Sequence, residues 1–168
     1  LALAGTLKRQ VRMSLAIEQL PEAENRVTVN RDKLDPLGNP RPAIHYRISE
    51  YTLKGMAAAT EVSKQMFRHA RIEDCTALGD AKWFPSVTYG ETVFHYHGMG
   101  HFAGTHLMGA DPQDSVLDLN QRCWEHENLY MIGSGSFPSM GTSNPTLTIG
   151  AMAIRTAEHL VDELGVGV

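Results

Sequence analysis

The chain has 168 residues, of which 42% are hydrophobic and 20% charged, proportions that are ordinary for a globular domain with one core. Its formal net charge of −4 argues against a nucleic-acid partner, and no apolar run reaches the roughly 18 residues that a membrane span needs. The two cysteines, Cys75 and Cys123, are too few for a disulfide framework and lack zinc-ligand spacing, so we expect buried free thiols.

The first part of the chain predicts an antiparallel sheet. Apolar and polar residues alternate over residues 11–17 and again over residues 44–48, which is the period of a half-buried strand. A shorter strand is predicted at residues 26–29. Between the strands predicted at residues 26–29 and 44–48 lies Asp35-Pro-Leu-Gly38. This composition is typical of a turn, because proline presets φ and glycine tolerates a positive φ.

The period then becomes helical and predicts a helix over residues 51–69, with Ser49 as its N-cap. Residues 72–93 show no clear period and are predicted to be mostly loop. A second helix closes the chain, with Asn144 as its N-cap, Pro145 at its first position and an apolar face behind them. Together these elements predict an α+β or mixed α/β fold.

A histidine-rich stretch that begins at His95 is the first candidate site. His95, His97 and His101 could place three imidazoles around one metal ion, although the carboxylate that usually accompanies such a set is missing. Histidine is also the natural general base, because its ordinary pKa is about 6.5. Glycines at Gly104 and Gly109 predict close backbone packing after His101, and this distinguishes it from its neighbours as a base.

The start of the closing helix, Asn144-Pro-Thr-Leu-Thr148, is the second candidate site. The simpler interpretation is that Asn144 only caps the helix. Alternatively, the free amides and positive dipole end of the helix would favour negative charge, and the Asn144 amide could donate a hydrogen bond to a reacting oxygen. The glycine-rich run at residues 133–141 would let a cofactor approach the backbone.

Three segments of the second half carry motifs of one enzyme family. They are His101-Phe-Ala-Gly-Thr-His-Leu-Met-Gly109, Asn128-Leu-Tyr-Met-Ile-Gly-Ser-Gly-Ser-Phe-Pro138 and Ser143-Asn-Pro-Thr-Leu-Thr148. They resemble, in the same order, the H-x-x-G-T-x-x-M-G segment, the N-L-Y-V-x-D/G-x-S/G-x-F-P run and the closing N-P-T-L-T helix of the glucose–methanol–choline (GMC) oxidoreductases. The likeness covers the family's C-terminal portion and looks nearest to bacterial sugar and polyol oxidoreductases.

The resemblance implies FAD-dependent oxidation of a CH–OH group in a sugar, polyol or other alcohol. In the family, a histidine at the His101 position accepts the alcohol proton while hydride passes to flavin N5. A residue at the Asn144 position hydrogen-bonds the same oxygen, and the final helix returns to the FAD-binding domain. The residues implied to contact FAD are Gly133, Ser134, Asn144, Pro145 and Thr146.

Two departures from the family matter. Gly133 stands where many members have aspartate, and the G-x-G-x-x-G dinucleotide fingerprint is absent from these residues. We therefore expect residues 1–95 to be a portion of the substrate-binding domain and residues 96–168 to be the catalytic, flavin-contacting segment. The dinucleotide-binding part would come from an N-terminal segment or a separate chain.

The sequence leaves the electron acceptor open. It also leaves two alternatives to an FAD-dependent oxidoreductase: a metal enzyme built on His95, His97 and His101, or an inert fragment that needs a partner chain.

Overall fold

The structure is a computed structural model that describes residues 10–76 and 83–165. It consists of two separate two-stranded antiparallel sheets and two helices, which is consistent with the predicted α+β class. In these two ranges, neither helix has the length and apolar character needed to cross a membrane.

The first hairpin pairs β1 (Val27–Leu34) with β2 (Pro40–Ile44). The predicted turn joins them and is closed by Asp35, whose carboxylate accepts the backbone N–H groups of Leu37 and Asn39, each at 2.9 Å. This confirms the turn. The strands extend up to it, so β1 continues through the polar residues that the sequence pattern had placed outside the strand.

The strand predicted at residues 11–17 is wrong, because residues 10–22 have no regular structure. A strand is stable only where its backbone N–H and C=O groups find a neighbouring strand, and none of the described strands pairs with this segment. Its apolar residues Val11 and Leu15 are exposed. The strand predicted at residues 44–48 is wrong as well, because β2 covers Pro40–Ile44 and residues 45–48 have no regular structure. The predicted three-stranded sheet is therefore a two-stranded hairpin.

The first helix, α1 (Glu50–Ala70), confirms the predicted helix and its cap. The Ser49 Oγ accepts the Thr52 N–H at 3.3 Å, and the helix ends where Arg71 adopts a φ of 53°. The buried Thr52 hydroxyl also donates to the Glu18 carbonyl at 3.2 Å. The start of α1 is thus attached to the irregular segment that precedes the first hairpin.

A second hairpin lies in the region that was predicted to be mostly loop. Strands β3 (Ser86–Tyr89) and β4 (Thr92–His95) pair antiparallel, so the prediction is wrong for this part of residues 72–93. Residues 77–82 lie outside the described residues. The hairpin buries Phe94 and leads directly into the histidine-rich stretch.

The closing helix, α2 (Thr146–Leu164), begins one residue later than predicted. Its N-cap is Pro145, whose carbonyl accepts the Ile149 N–H at 2.9 Å, and no side chain caps the helix. The N-cap prediction for Asn144 is therefore wrong. The proline ring holds its own φ near the helical value, at −86°, so Pro145 can start the helix without a capping side chain.

The interior lies around the irregular segments between β4 and α2. The predicted apolar face of α2 does not contribute to it, because Leu147 and Ile154 are exposed. One cysteine, Cys123, is buried as expected, whereas Cys75 is exposed. Within the described ranges, the buried apolar side chains are Phe94, Leu117, Cys123 and Phe137, and the buried polar ones are Thr52, Gln121, Ser136 and Thr156.

Candidate active site

The segment that follows His101 is joined to the glycine-rich run by backbone hydrogen bonds. The N–H groups of Gly104, His106 and Met108 donate to the carbonyl groups of Ser134, Gly135 and Ser136, at 3.4, 3.0 and 2.8 Å. The carbonyl groups belong to a single 3₁₀ turn at Ser134–Ser136. Two motifs that are separated in sequence therefore form one backbone unit.

Gly135 is needed for this pairing because the imidazole of His106 lies against it. A Cβ at position 135 would stand 2.1 Å from His106 Cε1 and 2.6 Å from Thr105 Oγ1. Thr105 Oγ1 and His106 Nδ1 are 2.9 Å apart, while His106 Nε2 is buried without a partner among the described residues. Burial lowers the pKa of His106, which favours the neutral form of its imidazole. The space beside Gly135 is thus occupied by side chains of this same chain, those of His106 and Thr105.

Gly133, in contrast, leaves its backbone open. It adopts φ 114° and ψ −179°, a region that is essentially restricted to glycine. No atom of the described residues lies within 4 Å of where a Cβ would stand. Among the residues expected to contact a cofactor, Gly133 therefore has the space for one.

His101 lies in an irregular part of the chain and is half-buried. Its side chain makes no hydrogen bond to another described residue, so the imidazole is available for a ligand. The Gly104 pairing holds the backbone just after it. The structure thereby attaches the loop that carries His101 to the 3₁₀ turn on one side.

Asn144 is exposed at the start of α2 and does not cap it. The first helical hydrogen bond is donated by Ile149, and the amides of residues 146–148 have no acceptor among the described residues. Such amides carry the positive end of the helix dipole. Both the Asn144 side chain and the helix start are thus available to a negatively polarised group.

Glu18 ties the connection between the turn and Asn144 to the rest of the chain, a role that the sequence analysis missed. Its carboxylate accepts the Ser139 hydroxyl and, at 3.2 Å, the Tyr51 hydroxyl. These hydrogen bonds, that from Ser139 most of all, lower the pKa of Glu18. The Ser139 Oγ in turn accepts the Gly141 N–H at 3.3 Å. A contact between residues this far apart in sequence leaves no local pattern by which it could have been found.

The metal hypothesis is wrong in its geometry. Within residues 10–76 and 83–165, no three His, Cys, Asp or Glu side chains are grouped closely enough to hold a metal ion. His95 is the last residue of strand β4. Both of its ring nitrogens are buried and have no hydrogen-bond partner among the described residues. The His97 ring instead lies against Phe84, with ring centroids 5.9 Å apart. The three imidazoles of the proposed cluster are therefore not brought around one point.

Comparison with known proteins gives the chain a family. The profile described as GMC oxidoreductase matches residues 21–153. The chain is 31% identical to the fructose dehydrogenase large subunit of Gluconobacter japonicus and 31% identical to 2-methyl-1,2-propanediol dehydrogenase of Mycolicibacterium austroafricanum, over 89% and 85% of its length. It is 30% identical over 86% of its length to pyranose 2-oxidase of Lyophyllum shimeji. These matches span 25%, 24% and 21% of the relatives' own lengths. The chain belongs to the GMC oxidoreductase family and corresponds to its C-terminal portion.

Proposed function

We propose that this chain carries the alcohol-oxidising site of an FAD-dependent enzyme that acts on a CH–OH group of a sugar, a polyol or a similar alcohol. GMC oxidoreductases are generally FAD-dependent, and the matched relatives are named for fructose, a propanediol and pyranose. The observation that carries the proposal is the backbone pairing between the His101 segment and the Ser134–Ser136 turn. It joins the candidate base to the turn that leads into Asn144.

His101 acts as the general base in this proposal. Oxidation of an alcohol to a carbonyl removes one proton from the hydroxyl and one hydride from the carbon. The half-buried His101 imidazole accepts the proton, because histidine is the side chain that most often serves as a general base near neutral pH. Bound FAD supplies the hydride acceptor.

Asn144 donates a hydrogen bond from its side-chain amide to the same substrate oxygen. The oxygen gains alkoxide character as its proton leaves, and a fixed neutral donor stabilises that charge. An asparagine engaged in capping would have its amide turned toward the helix. Since Asn144 does not cap α2, its side chain is available for this role.

The cofactor contacts are proposed on two features of the backbone. The open side of Gly133 admits a flat ring system close to the main chain, and Ser134 follows directly in the same turn. The free amides at the start of α2, beginning with Thr146, favour the side of the flavin where negative charge collects on reduction. Asn144 and Pro145 immediately precede these amides in the chain.

The division of the chain follows from this site. Residues 1–95 would form a portion of the substrate-binding domain, and residues 96–168 would form the catalytic segment. The exposed apolar side chains of α2, among them Leu147 with 87% and Ile154 with 63% of their surface exposed, would be covered by the FAD-binding part. In this proposal that part is an N-terminal segment or a separate chain.

The test is flavin reduction in the intact protein with FAD bound. His101→Ala should slow anaerobic reduction by a sugar or polyol about 100-fold or more, as expected when a general base is removed. Asn144→Ala should slow it about 100-fold, as expected when one donor to a developing oxyanion is removed. Both variants should retain FAD.

The matched control is His126→Ala, which removes an exposed imidazole outside the site and should leave the rate unchanged. Near-normal flavin reduction in His101→Ala would overturn its assignment as the base. An intact protein that binds no FAD would contradict the whole proposal and would favour the alternative in which this chain has only a structural role.

A further inference from the structure

Gln121 is the most unusual polar residue of the described chain. It is completely buried, with 0% of its surface exposed, and it has a φ of 63°. A residue other than glycine is strained in such a sparsely populated conformation, and it persists there only where its surroundings impose it. Its N–H donates to the Asp118 carbonyl at 3.0 Å, and its carbonyl accepts the Met131 N–H at 2.9 Å. The backbone is thus fixed on both sides of a buried amide side chain.

The side chain of Gln121 links the 3₁₀ turn to helix α2. Its Nε2 donates to Ser136 Oγ at 2.6 Å, and its Oε1 accepts the Thr156 hydroxyl at 2.6 Å. Both partners are buried, with 0% and 4% of their surfaces exposed. The Ser136 hydroxyl donates in turn to the Gly133 carbonyl at 2.8 Å. One continuous series of hydrogen bonds therefore runs from α2 to Gly133.

The direction of these hydrogen bonds requires an amide at position 121. A hydroxyl has one proton to donate, and Ser136 uses its proton on Gly133, so Ser136 can only accept from residue 121. At the other end, the Thr156 hydroxyl lies 3.3 Å from the Asn120 carbonyl and 2.6 Å from Gln121 Oε1. Its shorter hydrogen bond is the one to Gln121, so residue 121 must also accept. Glutamine supplies a donor and an acceptor at the two ends of one rigid group. A carboxylate of the same shape supplies only acceptors.

We infer that Gln121 is a positioning residue that holds the Gly133–Ser136 turn at a fixed place against helix α2. The inference rests on the proposed function, in which this turn contacts FAD and α2 carries Asn144 at its start. Gln121 acts through Ser136 and Thr156 and does not itself touch the reacting groups. It couples the backbone beside the cofactor to the helix that presents the second catalytic residue.

The test is Gln121→Glu in the intact protein with FAD bound. The ionised carboxylate has no proton to donate to Ser136, and if the Ser136 hydroxyl turns to donate to the carboxylate, it gives up its hydrogen bond to the Gly133 carbonyl. The series of hydrogen bonds from α2 to Gly133 is broken in both cases. The protonated carboxyl restores the donor. Flavin reduction should therefore be about 10- to 100-fold slower above the pKa of the new carboxyl, as expected for a small displacement of the reacting groups, and should recover below it. Burial in an apolar interior raises a carboxyl pKa, so the change should fall at a higher pH than for an exposed glutamate.

The matched control is Gln113→Glu, which introduces the same charge at an exposed residue. The titratable and charged groups around the network are His106 beside Gly135, Asp118 in the loop before Gln121 and Arg155 on α2. They are the same in both variants. A pH dependence that occurs only in Gln121→Glu therefore belongs to the new carboxyl.

A second measurement does not depend on flavin. Amide hydrogen exchange of residues 134–137 should become faster in Gln121→Glu above the same pH, whereas exchange in the first hairpin should not change. If Gln121→Glu does not fold, Ser136→Ala provides the alternative, since it removes the hydroxyl through which Gln121 acts and should raise exchange in the turn at every pH.

Two results would overturn the inference. One is a Gln121→Glu profile of rate and exchange that parallels Gln113→Glu. The other is a loss that is independent of pH and follows the melting temperature, which would indicate a merely structural role. Failure of the proposed function would look different: His101→Ala would reduce flavin normally while the exchange of the turn still responded to Gln121→Glu.

Discussion

Replacing Gly135 with alanine tests whether the pairing of the two motifs is as close as the structure has it. The new Cβ would stand 2.1 Å from His106 Cε1, whereas carbon atoms in contact are about 3.5–4.0 Å apart. A shift of about 1.5 Å is therefore needed. The imidazole is half-buried and in contact with Thr105, so we expect the backbone pairing to take up part of this shift. We expect a loss of about 2–4 kcal/mol in the free energy of unfolding, from overpacking and from one weakened hydrogen bond.

Denaturant unfolding of the intact protein measures this loss. The matched control is Gly150→Ala in helix α2, where no described atom lies within 4 Å of the new Cβ and alanine should gain about 0.5–1 kcal/mol. Removing the imidazole with His106→Ala in the same chain should recover part of the loss, so the two changes should not be additive. A Gly135→Ala protein within about 0.5 kcal/mol of wild type would refute the reasoning, because surface changes fall in that range.

Two further predictions concern the same turn. Burial lowers the pKa of His106, so its contribution to stability is complete above its ordinary value of 6.5 and is lost as the pH falls below it; in His106→Gln, this fall in the free energy of unfolding should be smaller, and an unchanged pH dependence would contradict the assignment. Gly133→Ala should lower the free energy of unfolding by about 1–3 kcal/mol through backbone strain alone, since the space around its Cβ is open; thermal unfolding that matches wild type would show that φ 114° is not required.

The features that sequence predicted well are those with a local cause. Ser49 lies beside the amide that it caps, and Asp35 lies beside the amides that its carboxylate accepts. Such interactions depend on residue type and spacing alone, so helix α1 and the first turn could be placed from sequence. The Asn144 cap was wrong for an equally local reason, because the neighbouring Pro145 starts the helix itself.

The strands were harder to predict because pairing is not local. The alternation over residues 11–17 has the period of a strand, but no described strand lies beside it. The second hairpin, in contrast, pairs two strands of four residues each, which is too short for a clear period. The β-branched and aromatic residues on both sides of Gly90 were a usable signal for it. Periodicity predicts which face a strand could bury and leaves its partner undetermined.

The candidate site was predictable only in part for the same physical reason. The motifs around His101 and Asn144 are continuous in sequence, so they could be recognised as segments. Gln121 and Glu18 act on residues that are distant in sequence, through hydrogen bonds that exist only in the folded chain. An isolated glutamine in a loop has no residue pattern around it that would indicate burial.

The turn and helix α2, the two parts of the candidate site, differ in how firmly this chain alone holds them in place. The 3₁₀ turn, its partner segment and Gln121 are held by hydrogen bonds and buried groups within this chain. The outer face of helix α2 is exposed at Leu147 and Ile154, so its side chains add little to the stability of the described residues. Helix α2 is nevertheless joined to the loop before the turn by several polar contacts: Arg155 donates to the Leu119 carbonyl, Glu163 accepts from Arg122 and Tyr130, and Thr156 donates to Gln121 and to the Asn120 carbonyl. Of these contacts, the one between Thr156 and Gln121 continues through Ser136 to the Gly133 carbonyl, so a single amide links helix α2 to the turn that is proposed to contact the cofactor.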